Sequence, residues 1–350
     1  MQELRKILNI NIEKFEELIT PDEINQLLPI SKGALHNVVI NRQCLHNILD
    51  ERDNRHFFVV GPCSIHDPKA ALDYAKKLKD LSQKVSDKFL IIMRVYFEKP
   101  RTTIGWKGLI NDPHLDDSFQ IEEGIKTARK LLIDINELEL ATGTEALDPI
   151  SPQYLAELIT WSAIGARTTE SQTHRELASG LSMPIGFKNG TDGSIQVAIN
   201  ALQSVTHKHH FLGMNSNGKI SKFSTRGNPY SHIVLRGGGG KTNYDKTSIK
   251  DCEDALIKNN LRPKIVIDCS HANSNKDHNN QPKVLADGIS QIKAGNKSIV
   301  GFMIESNLYA GNQKLTANPK DLKYGVSLTD KCVDWDTTEE MILDAYQELK

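Results

Sequence analysis

The sequence has no excess of charge of either sign, because 43 lysines and arginines face 44 aspartates and glutamates, for a net charge of -1. Such balance gives no general attraction to nucleic acid or to an anionic membrane surface, so we expect neither as a partner. Long apolar runs are also missing. Among the longest is Ile299 to Ile304, broken by Gly301 and far too short to span a bilayer. The opening residues lack an apolar signal core, and the expected location is the cytoplasm.

Cysteine is scarce, with only five residues and no paired spacing: Cys44, Cys63, Cys252, Cys269 and Cys332. An odd number without a framework of pairs excludes a disulfide-built secreted domain and indicates free thiols in a reducing compartment. Most of them are expected to be small buried side chains, and at least one is a candidate metal ligand. The chain is long enough for one large core or for two smaller ones.

From residue 57 onward, short β-branched or apolar segments alternate with amphipathic helical segments. The predicted strands are Phe57–Val60, Leu90–Val95, Leu140–Thr144, Ala163–Ala166, Pro184–Phe187, Ile233–Leu235, Lys264–Ile267 and Ser298–Met303. Eight strands separated by helices predict an α/β fold of the (β/α)8 TIM-barrel type. A doubly wound open sheet is the alternative, because alternation alone does not establish that a sheet closes.

Two segments do not belong to this alternation. Residues 1–55 precede the first strand and are predicted to form a helical N-terminal extension, with a capping box at Thr20 and Glu23. Residues 209–225, around Asn217-Gly218, are predicted to form a β-hairpin inserted in the barrel domain, residues 56–350. Residues 152–161 are predicted to be helical. A contact between copies of the chain, in a homodimer or homotetramer, is one expected role of the extension.

Charged or metal-capable residues follow all eight predicted strands. They include Cys63, Arg94, Lys99, Arg101, Glu145, Arg167, Lys188, Arg236, His271 and Glu305. In a parallel αβ barrel the carboxyl ends of the strands form the active-site face. A single arginine after a strand is usually a solvated residue or part of a salt bridge, but six cations converging with few carboxylates repel one another unless an anion binds. This pattern predicts a site for two phosphorylated substrates.

The metal-ligand candidates are Cys63, His271, Glu305 and, after the last strand, Asp330. Mixed sulfur, nitrogen and oxygen donors suit Mn, Fe, Co or Zn better than Mg or Ca. Cys269 is an alternative to Cys63, because it has the same strand parity as His271.

Two other motifs are interpreted as structural. The histidines at 207, 209 and 210 precede the hairpin rather than follow a strand end, so we expect them to be solvated or structural. The Gly-Gly-Gly-Gly-Lys-Thr segment at 237–242 resembles the end of a P-loop, but Leu235 occupies the position of the first glycine. The glycines are expected to give the backbone freedom beside Arg236.

Six segments together resemble one enzyme family. They are Gly-Pro-Cys-Ser-Ile-His-Asp (61–67), Met-Arg-Val-Tyr-Phe-Glu-Lys-Pro-Arg-Thr-Thr (93–103), Ile-Gly-Ala-Arg-Thr-Thr-Glu-Ser (164–171), Gly-Phe-Lys-Asn-Gly-Thr (186–191), Leu-Arg-Gly-Gly (235–238) and Asp-Cys-Ser-His-Ala-Asn (268–273). The chain resembles a type I 3-deoxy-D-arabino-heptulosonate 7-phosphate (DAHP) synthase over essentially its whole length. The resemblance implies condensation of phosphoenolpyruvate with erythrose 4-phosphate and water, the first step of the shikimate pathway. A related synthase, a metal-dependent aldolase and a catalytically silent amino-acid sensor are the alternatives.

The resemblance also implies roles for individual residues. It favours Cys63 over Cys269 and gives the metal ligands as Cys63, His271, Glu305 and Asp330. It gives the phosphoenolpyruvate site as Arg94, Lys99, Glu145, Ala166, Arg167, Lys188 and Arg236. It gives the erythrose 4-phosphate site as Arg101 and Thr102. Lys99 is expected to donate a proton, with help from Asp330, and His271 completes the catalytic group.

The segments at 145–154 and 171–184 most resemble the tyrosine-sensitive form of the enzyme. We therefore expect tyrosine as an effector, bound away from the metal near the extension and the hairpin. The expected pocket residues are Asp148, Pro152, Gln153, Leu177, Leu181, Ser182, Phe211 and Gly213. Asp148 is expected to face the ammonium group, and Gly213 is expected to leave space for the phenol hydroxyl.

Overall fold

The computed structural model describes residues 7–350, which contain ten strands and ten α-helices. The strands are β1 (His56–Gly61), β2 (Phe89–Arg94), β3 (Ala141–Glu145), β4 (Trp161–Ile164), β5 (Ile185–Lys188), β6 (His210–Met214), β7 (Ile220–Ser224), β8 (Ser231–Leu235), β9 (Ile265–Asp268) and β10 (Ile299–Glu305). The helices are α1 (Pro21–Leu27), α2 (Lys32–Leu49), α3 (Pro68–Lys84), α4 (Ile121–Glu137), α5 (Pro152–Leu155), α6 (Gln172–Gly180), α7 (Gln196–Val205), α8 (Lys246–Lys258), α9 (Gln281–Lys293) and α10 (Trp335–Glu348).

Eight of the strands close into a parallel barrel in the order β1-β10-β9-β8-β5-β4-β3-β2. Closure rests on the parallel pairing of β1 with β10, in which Phe57 lies opposite Gly301 and Gly61 opposite Glu305. The prediction of a TIM barrel is therefore confirmed, and the open doubly wound sheet is wrong, because an open sheet would leave β1 and β10 as separate edges.

Trp161 fills the interior of the barrel and makes one polar contact there. Its indole Nε1 donates a hydrogen bond to Nε2 of His232 at 3.0 Å, and both side chains are fully buried. Burial lowers the pKa of His232 to about 3, so this imidazole is neutral at physiological pH. Gly143 and Gly186 give the ring room, because a Cβ at either position would lie within 3.2 Å of an atom of Trp161.

The helices cover the outside of the barrel, and their ends carry the signals that the sequence predicts. The side chain of Asp67 accepts from the amides of Lys69 and Ala70 and begins α3, which has Pro68 in its first turn. Along α3 the buried residues recur at helical spacing and pack on the strands. Between residues 7 and 350, no helix combines the length and hydropathy needed to cross a membrane.

The N-terminal helices pack against the α4 side of the barrel. The capping box of α1 is present as predicted, with Thr20 and Glu23 bonding each other's backbone amides. Arg129 of α4 is almost completely buried, and it donates to the carbonyls of Leu28 and Tyr154. It thereby ties the segment after α1 to α5. Residues 1–6 of the predicted extension lie outside the described residues, and the division at residue 55 stays a prediction.

The inserted hairpin consists of β6 and β7, which pair antiparallel with Phe211 opposite Phe223. Its turn touches the start of α1, where the amide of Asp22 donates to the carbonyl of Ser216 at 2.9 Å. At its base the hydroxyls of Ser179 and Thr225 lie 2.8 Å apart. The hairpin therefore bridges the extension and α6.

Residues 152–161 differ from the prediction of one continuous helix. Only α5 and a turn of 3-10 helix at Ala156–Leu158 form, and β4 begins at Trp161. The reason is the burial of Trp161 inside the barrel, which requires an extended backbone two residues earlier than the predicted start of this strand. Tertiary packing outweighs the local helical pattern here.

Substitution of Gly186 by alanine tests the interior packing. Its Cβ would lie 2.7 Å from both Trp161 Cζ2 and Val234 Cγ2, so overpacking should cost about 1–3 kcal/mol in the free energy of unfolding. Gly33→Ala is the matched control. The nearest atom to its Cβ would be 3.9 Å away, and this variant should be as stable as the parent or slightly more so. Denaturant titration of both variants measures the difference, and equal stability would contradict the packing described.

Candidate functional site

The carboxyl ends of the eight barrel strands, called the rim below, carry the predicted site residues. Glu145, Lys188 and Asp268 end strands β3, β5 and β9. These are alternate strands of the barrel, so their inward side chains belong to one layer. Arg94 and Glu305 end β2 and β10. Four of these strands, β3, β5, β9 and β10, extend one or two residues beyond their predicted ends and so include the charged residue, whereas β2 ends at Arg94, one residue before the predicted Val95.

One cavity of about 110 Å³ gathers almost all of these side chains. It is lined by Arg94, Tyr96, Lys99, Pro100, Arg101, Glu145, Gly165, Ala166, Arg167, Lys188, Thr191, Arg236, His271, Glu305, Thr329 and Asp330. A second cavity of about 900 Å³ shares Arg167, Arg236 and His271 with the first and adds Thr102. The predicted substrate and metal residues therefore face connected space, with Cys63 buried beside it.

Three of the four predicted metal ligands lie together. One donor atom each from Cys63, Glu305 and Asp330 lies within 4.8 Å of the other two. Nε2 of His271 lies 3.9 Å from Oε1 of Glu305, at the edge of this group. This donor set suits a first-row divalent ion, because it offers one thiol, one imidazole and two carboxylates. Cys269 is outside the group and packs, fully buried, in the apolar layer behind β9.

The thiol of Cys63 carries its proton when no metal is present. Burial, and then the carboxylate of Glu305, raise its pKa to about 11. Nζ of Lys99 lies 3.2 Å from the sulfur and 3.1 Å from the carbonyl oxygen of Cys63. A metal binds the thiolate, so binding at this site must release a proton.

Two ion pairs occupy the floor of the cavity. Nη2 of Arg94 lies 3.2 Å from Oε1 of Glu305, and the Arg94 guanidinium also stacks on the ring of Tyr96 at 3.9 Å. Nζ of Lys188 lies 2.8 Å from Oδ2 of Asp268. All four charged groups are nearly inaccessible to solvent, and a buried charge without a partner would be strongly unfavourable.

The other cations of the cavity have no such partner. Within residues 7–350, Lys99, Arg101, Arg167 and Arg236 form no ion pair with a carboxylate. Burial opposes ionisation of Asp330, but Lys99 and His271, followed by Arg167, outweigh it and lower the pKa of that carboxyl. The cavity therefore has surplus positive charge, and planar guanidinium groups match the oxygens of phosphate and carboxylate.

An asparagine network fixes the strand ends beside Arg236. Oδ1 of Asn189, just after β5, accepts from the Arg236 amide at 2.8 Å and from Asn243 at 3.2 Å. Oδ1 of Asn273 accepts from the amide of Asn243, and its Nδ2 donates to the carbonyls of Leu235 and Asp268. Strands β5, β8 and β9 are thereby held in one arrangement. The sequence shows these asparagines after strand ends, but only the fold shows that they bond each other.

Sequence reasoning missed Tyr96 and Asp268 as members of the site. Tyr96 lies two residues after Arg94, so strand parity places both on the same face. Its hydroxyl is buried and has no hydrogen-bond partner within residues 7–350. Asp268 was identified only as part of a motif, whereas the structure gives it contacts with both Lys188 and His271.

The predicted effector residues lie around α5, α6 and the hairpin. Pro152 and Leu181 line one narrow cavity, and Leu177 is buried on α6. Asp148 and Ser182 are exposed, and Gln153 and Phe211 are partly buried. The space beside Gly213 is not open as expected, because a Cβ there would lie 2.9 Å from the ring of Phe223.

Glu98 connects this region with the cavity. It is buried, and its Oε2 accepts a hydrogen bond from the hydroxyl of Ser151 at 2.8 Å. Burial raises the pKa of Glu98 to about 7. The next residue is Lys99, whose ammonium group lies beside Cys63. A single side-chain hydrogen bond therefore joins the loop before α5 to the segment that carries Lys99.

The two motifs interpreted as structural form local contacts. Ring nitrogens of His207 and His209 bond the backbone carbonyls of Gln203 and Ser204. Gly238 and Lys241 form a tight antiparallel bridge within the glycine segment, beside Arg236. Gly237 has φ 67°, in the left-handed region where glycine is favoured.

Comparison with known proteins gives one consistent result. The profile of the DAHP synthetase I family matches residues 28–343. The "Phospho-2-dehydro-3-deoxyheptonate aldolase, Tyr-sensitive" of Escherichia coli (strain K12) is 50% identical over 341 residues, which is 97% of this chain and 96% of that protein. The Phe-sensitive enzyme of the same organism is 49% identical over 334 residues and 95% of each chain.

A solved structure agrees in both fold and sequence. The phospho-2-dehydro-3-deoxyheptonate aldolase of Francisella tularensis SCHU S4 superimposes with a TM-score of 0.93 and 52% identity, over 97% of this chain and all of that one. The resemblance recognised from the six sequence segments is therefore confirmed, as is the class of enzyme. The chain belongs to the DAHP synthetase I family.

Proposed function

We propose that the rim condenses phosphoenolpyruvate with erythrose 4-phosphate and water, releasing DAHP and phosphate, at the entry to aromatic amino acid biosynthesis. The observation that carries this proposal is the cavity in which unpaired cations adjoin a Cys/Glu/Asp donor group. Family membership supports the reaction. A catalytically silent sensor is not favoured, because such a protein needs neither the surplus cations nor the metal donors.

Arg167, Lys188 and Arg236 are proposed to hold the phosphate of phosphoenolpyruvate, with Arg94 and Lys99 on its carboxylate side and Glu145 and the backbone of Ala166 nearby. Arg94 and Lys188 are prepositioned by Glu305 and Asp268, so binding does not require these side chains to be ordered first. Holding the enol phosphate in one orientation next to the second substrate makes the reaction between them effectively unimolecular.

Arg101 and Thr102 are proposed to bind the phosphate of erythrose 4-phosphate at the mouth of the cavity. Both are exposed, which suits the second, more distant phosphate. Carbon–carbon bond formation leaves positive character at C2 of the enol phosphate, where water adds before phosphate departs with C–O cleavage. Lys99, 3.2 Å from the Cys63 sulfur, is proposed to hold the proton that the new alkoxide takes, with Asp330 next to it.

Cys63, His271, Glu305 and Asp330 are proposed to hold one divalent ion of the Mn, Fe, Co or Zn class. Such an ion supplies Lewis-acid polarisation of a carbonyl oxygen. This role for His271 is supported by its Nδ1, which lies 3.0 Å from Asp268, and by its Nε2, which faces Glu305.

A homodimer or homotetramer in the cytoplasm is also proposed. Apolar side chains are exposed on the arm before α1 and on α2, among them Ile10, Phe15, Leu35 and Val39. Contact with a second copy of the chain would cover them. All five cysteines are free thiols, as expected in a reducing compartment.

Tyrosine is the proposed effector. The relatives named Tyr-sensitive and Phe-sensitive are 50% and 49% identical to this chain, so overall sequence similarity does not favour one amino acid over the other as the effector. The edge-to-face pair of Phe211 and Phe223, with centroids 5.6 Å apart, offers an aromatic surface for a ring. Exposed Asp148 supplies a carboxylate for the ammonium group. The Ser151–Glu98 hydrogen bond supplies a route to Lys99.

Phosphate release measured with each substrate alone and with both together tests the reaction. Release should require both. Arg167→Ala and Arg236→Ala should chiefly raise the KM for phosphoenolpyruvate, because each loses a charged hydrogen bond of ~1.5–3 kcal/mol. Arg101→Ala should chiefly raise the KM for erythrose 4-phosphate. The reverse assignment of the two effects would contradict the proposed division of the cavity.

Chelation followed by metal analysis tests the donor group. Chelator should abolish activity, and Mn²⁺ or another first-row divalent ion should restore it. Cys63→Ala should retain no metal after dialysis, because the thiolate is the soft donor of the set. Cys269→Ala is the matched control and should retain metal, because its side chain packs in the apolar layer. Equal metal loss in both variants would rule out Cys63 as the specific ligand.

Titration of tyrosine, phenylalanine and tryptophan into the same assay tests regulation. Tyrosine should inhibit most strongly, and Asp148→Asn should weaken inhibition without changing uninhibited turnover. Coupling between two sites typically changes affinity by a factor of about 5–150. Stronger inhibition by phenylalanine, or none by any of the three, would refute the effector assignment and leave the catalytic one intact.

A further inference from the structure

Asp268 lies between the two halves of the rim. It ends β9, its side chain is fully buried, and the polar partners of that side chain are Lys188, Ser270 and His271. Oδ2 accepts from Nζ of Lys188 at 2.8 Å and lies 3.0 Å from Nδ1 of His271. Oδ1 accepts from the amide of Ser270 at 3.0 Å and from its hydroxyl at 2.6 Å. One carboxylate therefore contacts a proposed phosphate-binding lysine and a proposed metal-binding histidine.

We propose that Asp268 is a positioning residue that prepares the metal half-site and the phosphoenolpyruvate half-site at the same time. The inference rests on the proposed function, and it adds a residue to which neither the sequence nor the comparisons give a role. It predicts that one substitution weakens the binding of both the metal ion and phosphoenolpyruvate, although no residue of the proposed site contacts both of them directly.

Asp268 and Ser270 together set the tautomer of His271. The hydroxyl of Ser270 gives its one proton to Oδ1 of Asp268, so toward Nδ1 of His271, 2.7 Å away, it can only accept. The proton of the neutral imidazole therefore lies on Nδ1, where it also faces Oδ2 of Asp268 at 3.0 Å. Nε2 then keeps its lone pair and faces Glu305 at 3.9 Å. This is the form of the imidazole that binds a metal.

Asp268 also fixes the position of the Lys188 ammonium group and balances its charge. Lys188 is 4% exposed, and within residues 7–350 Asp268 is the one carboxylate that forms an ion pair with it. The long side chain would otherwise sample several rotamers and pay for ordering when a substrate binds. Desolvation offsets much of the attraction in a buried pair, so the pair adds little net stability to the fold. Its main consequence is a fixed ammonium group at the cavity floor.

The barrel explains why one residue reaches both partners. Strands β5 and β9 flank β8, and alternate strands contribute inward side chains to one layer. Lys188 and Asp268 therefore meet across β8. His271 follows three residues after Asp268 and has φ 55°, a left-handed backbone that turns its ring back toward β9.

Asp268→Asn tests the proposal, because it keeps the shape and removes the charge. Mn²⁺ affinity, measured by competition with a fluorescent chelator, should fall about 10–100-fold. Phosphoenolpyruvate affinity, measured by calorimetry on the metal-free protein, should fall at least about 10-fold. Asp245→Asn is the matched control for the charge. Asp245 caps α8 away from the cavity, so both affinities should stay within about twofold of the parent.

Loss of only one affinity in Asp268→Asn, or of neither, would overturn the proposal. If that variant does not fold, nitrogen-15 NMR of His271 in the metal-free parent protein decides instead, with His271→Gln to assign its signals. The Nδ1–H tautomer is expected, and the Nε2–H tautomer would overturn the proposal. These binding and spectroscopic results stand apart from catalysis. Absence of condensation by the parent protein would contradict the proposed function alone.

Discussion

The pairing of β1 with β10 is the interaction on which the site depends. It closes the barrel, and closure brings strand ends that are up to 244 residues apart in sequence, such as Gly61 and Glu305, to adjacent positions. Without closure, Cys63 after β1 and Glu305 on β10 would lie at opposite edges of a sheet. The metal donors and the cations meet because eight parallel strands end at one rim.

Burial of charge is the second constraint on this rim. The two carboxylates Glu305 and Asp268 neutralise Arg94 and Lys188 on the cavity floor, while cations nearer the opening have no carboxylate partner within residues 7–350. The floor is thereby fixed, and the surplus positive charge faces the space that an anion enters. Glu305 and Asp268 each also face His271, so the same carboxylates connect the cation group with the metal donors.

Much of this could be predicted from the sequence, because the signals are local. Alternation of apolar strands and amphipathic helices predicted the barrel, and charged residues after each strand predicted the rim. Helix signals such as the capping box at Thr20 were also local and occur as predicted. Local signals did not decide between a barrel and an open sheet, because that difference depends on the pairing of β1 with β10, which are far apart in the sequence.

What the sequence could not predict depends on contacts between distant segments. Trp161 begins a strand rather than ending a helix because the barrel interior buries its ring. In the sequence Asp268 is recognisable only as part of a motif. Its hydrogen bond with Lys188 joins residues that are 80 positions apart, so the sequence pattern does not reveal it. Gly213 was expected to leave open space, but the partner strand of the hairpin places Phe223 there. Strand parity alone does not contain this information.

Crystals grown with Mn²⁺ and phosphoenolpyruvate would test the central claim, that metal donors and phosphate-binding cations meet at one rim. Anomalous diffraction at the manganese edge should give one peak, at a position where the ion is bound by Cys63, His271, Glu305 and Asp330. The phosphate should lie in the same cavity, against Arg167, Lys188 and Arg236. A manganese peak elsewhere, for example at the histidines around residue 209, or a phosphate bound away from these cations would contradict the account.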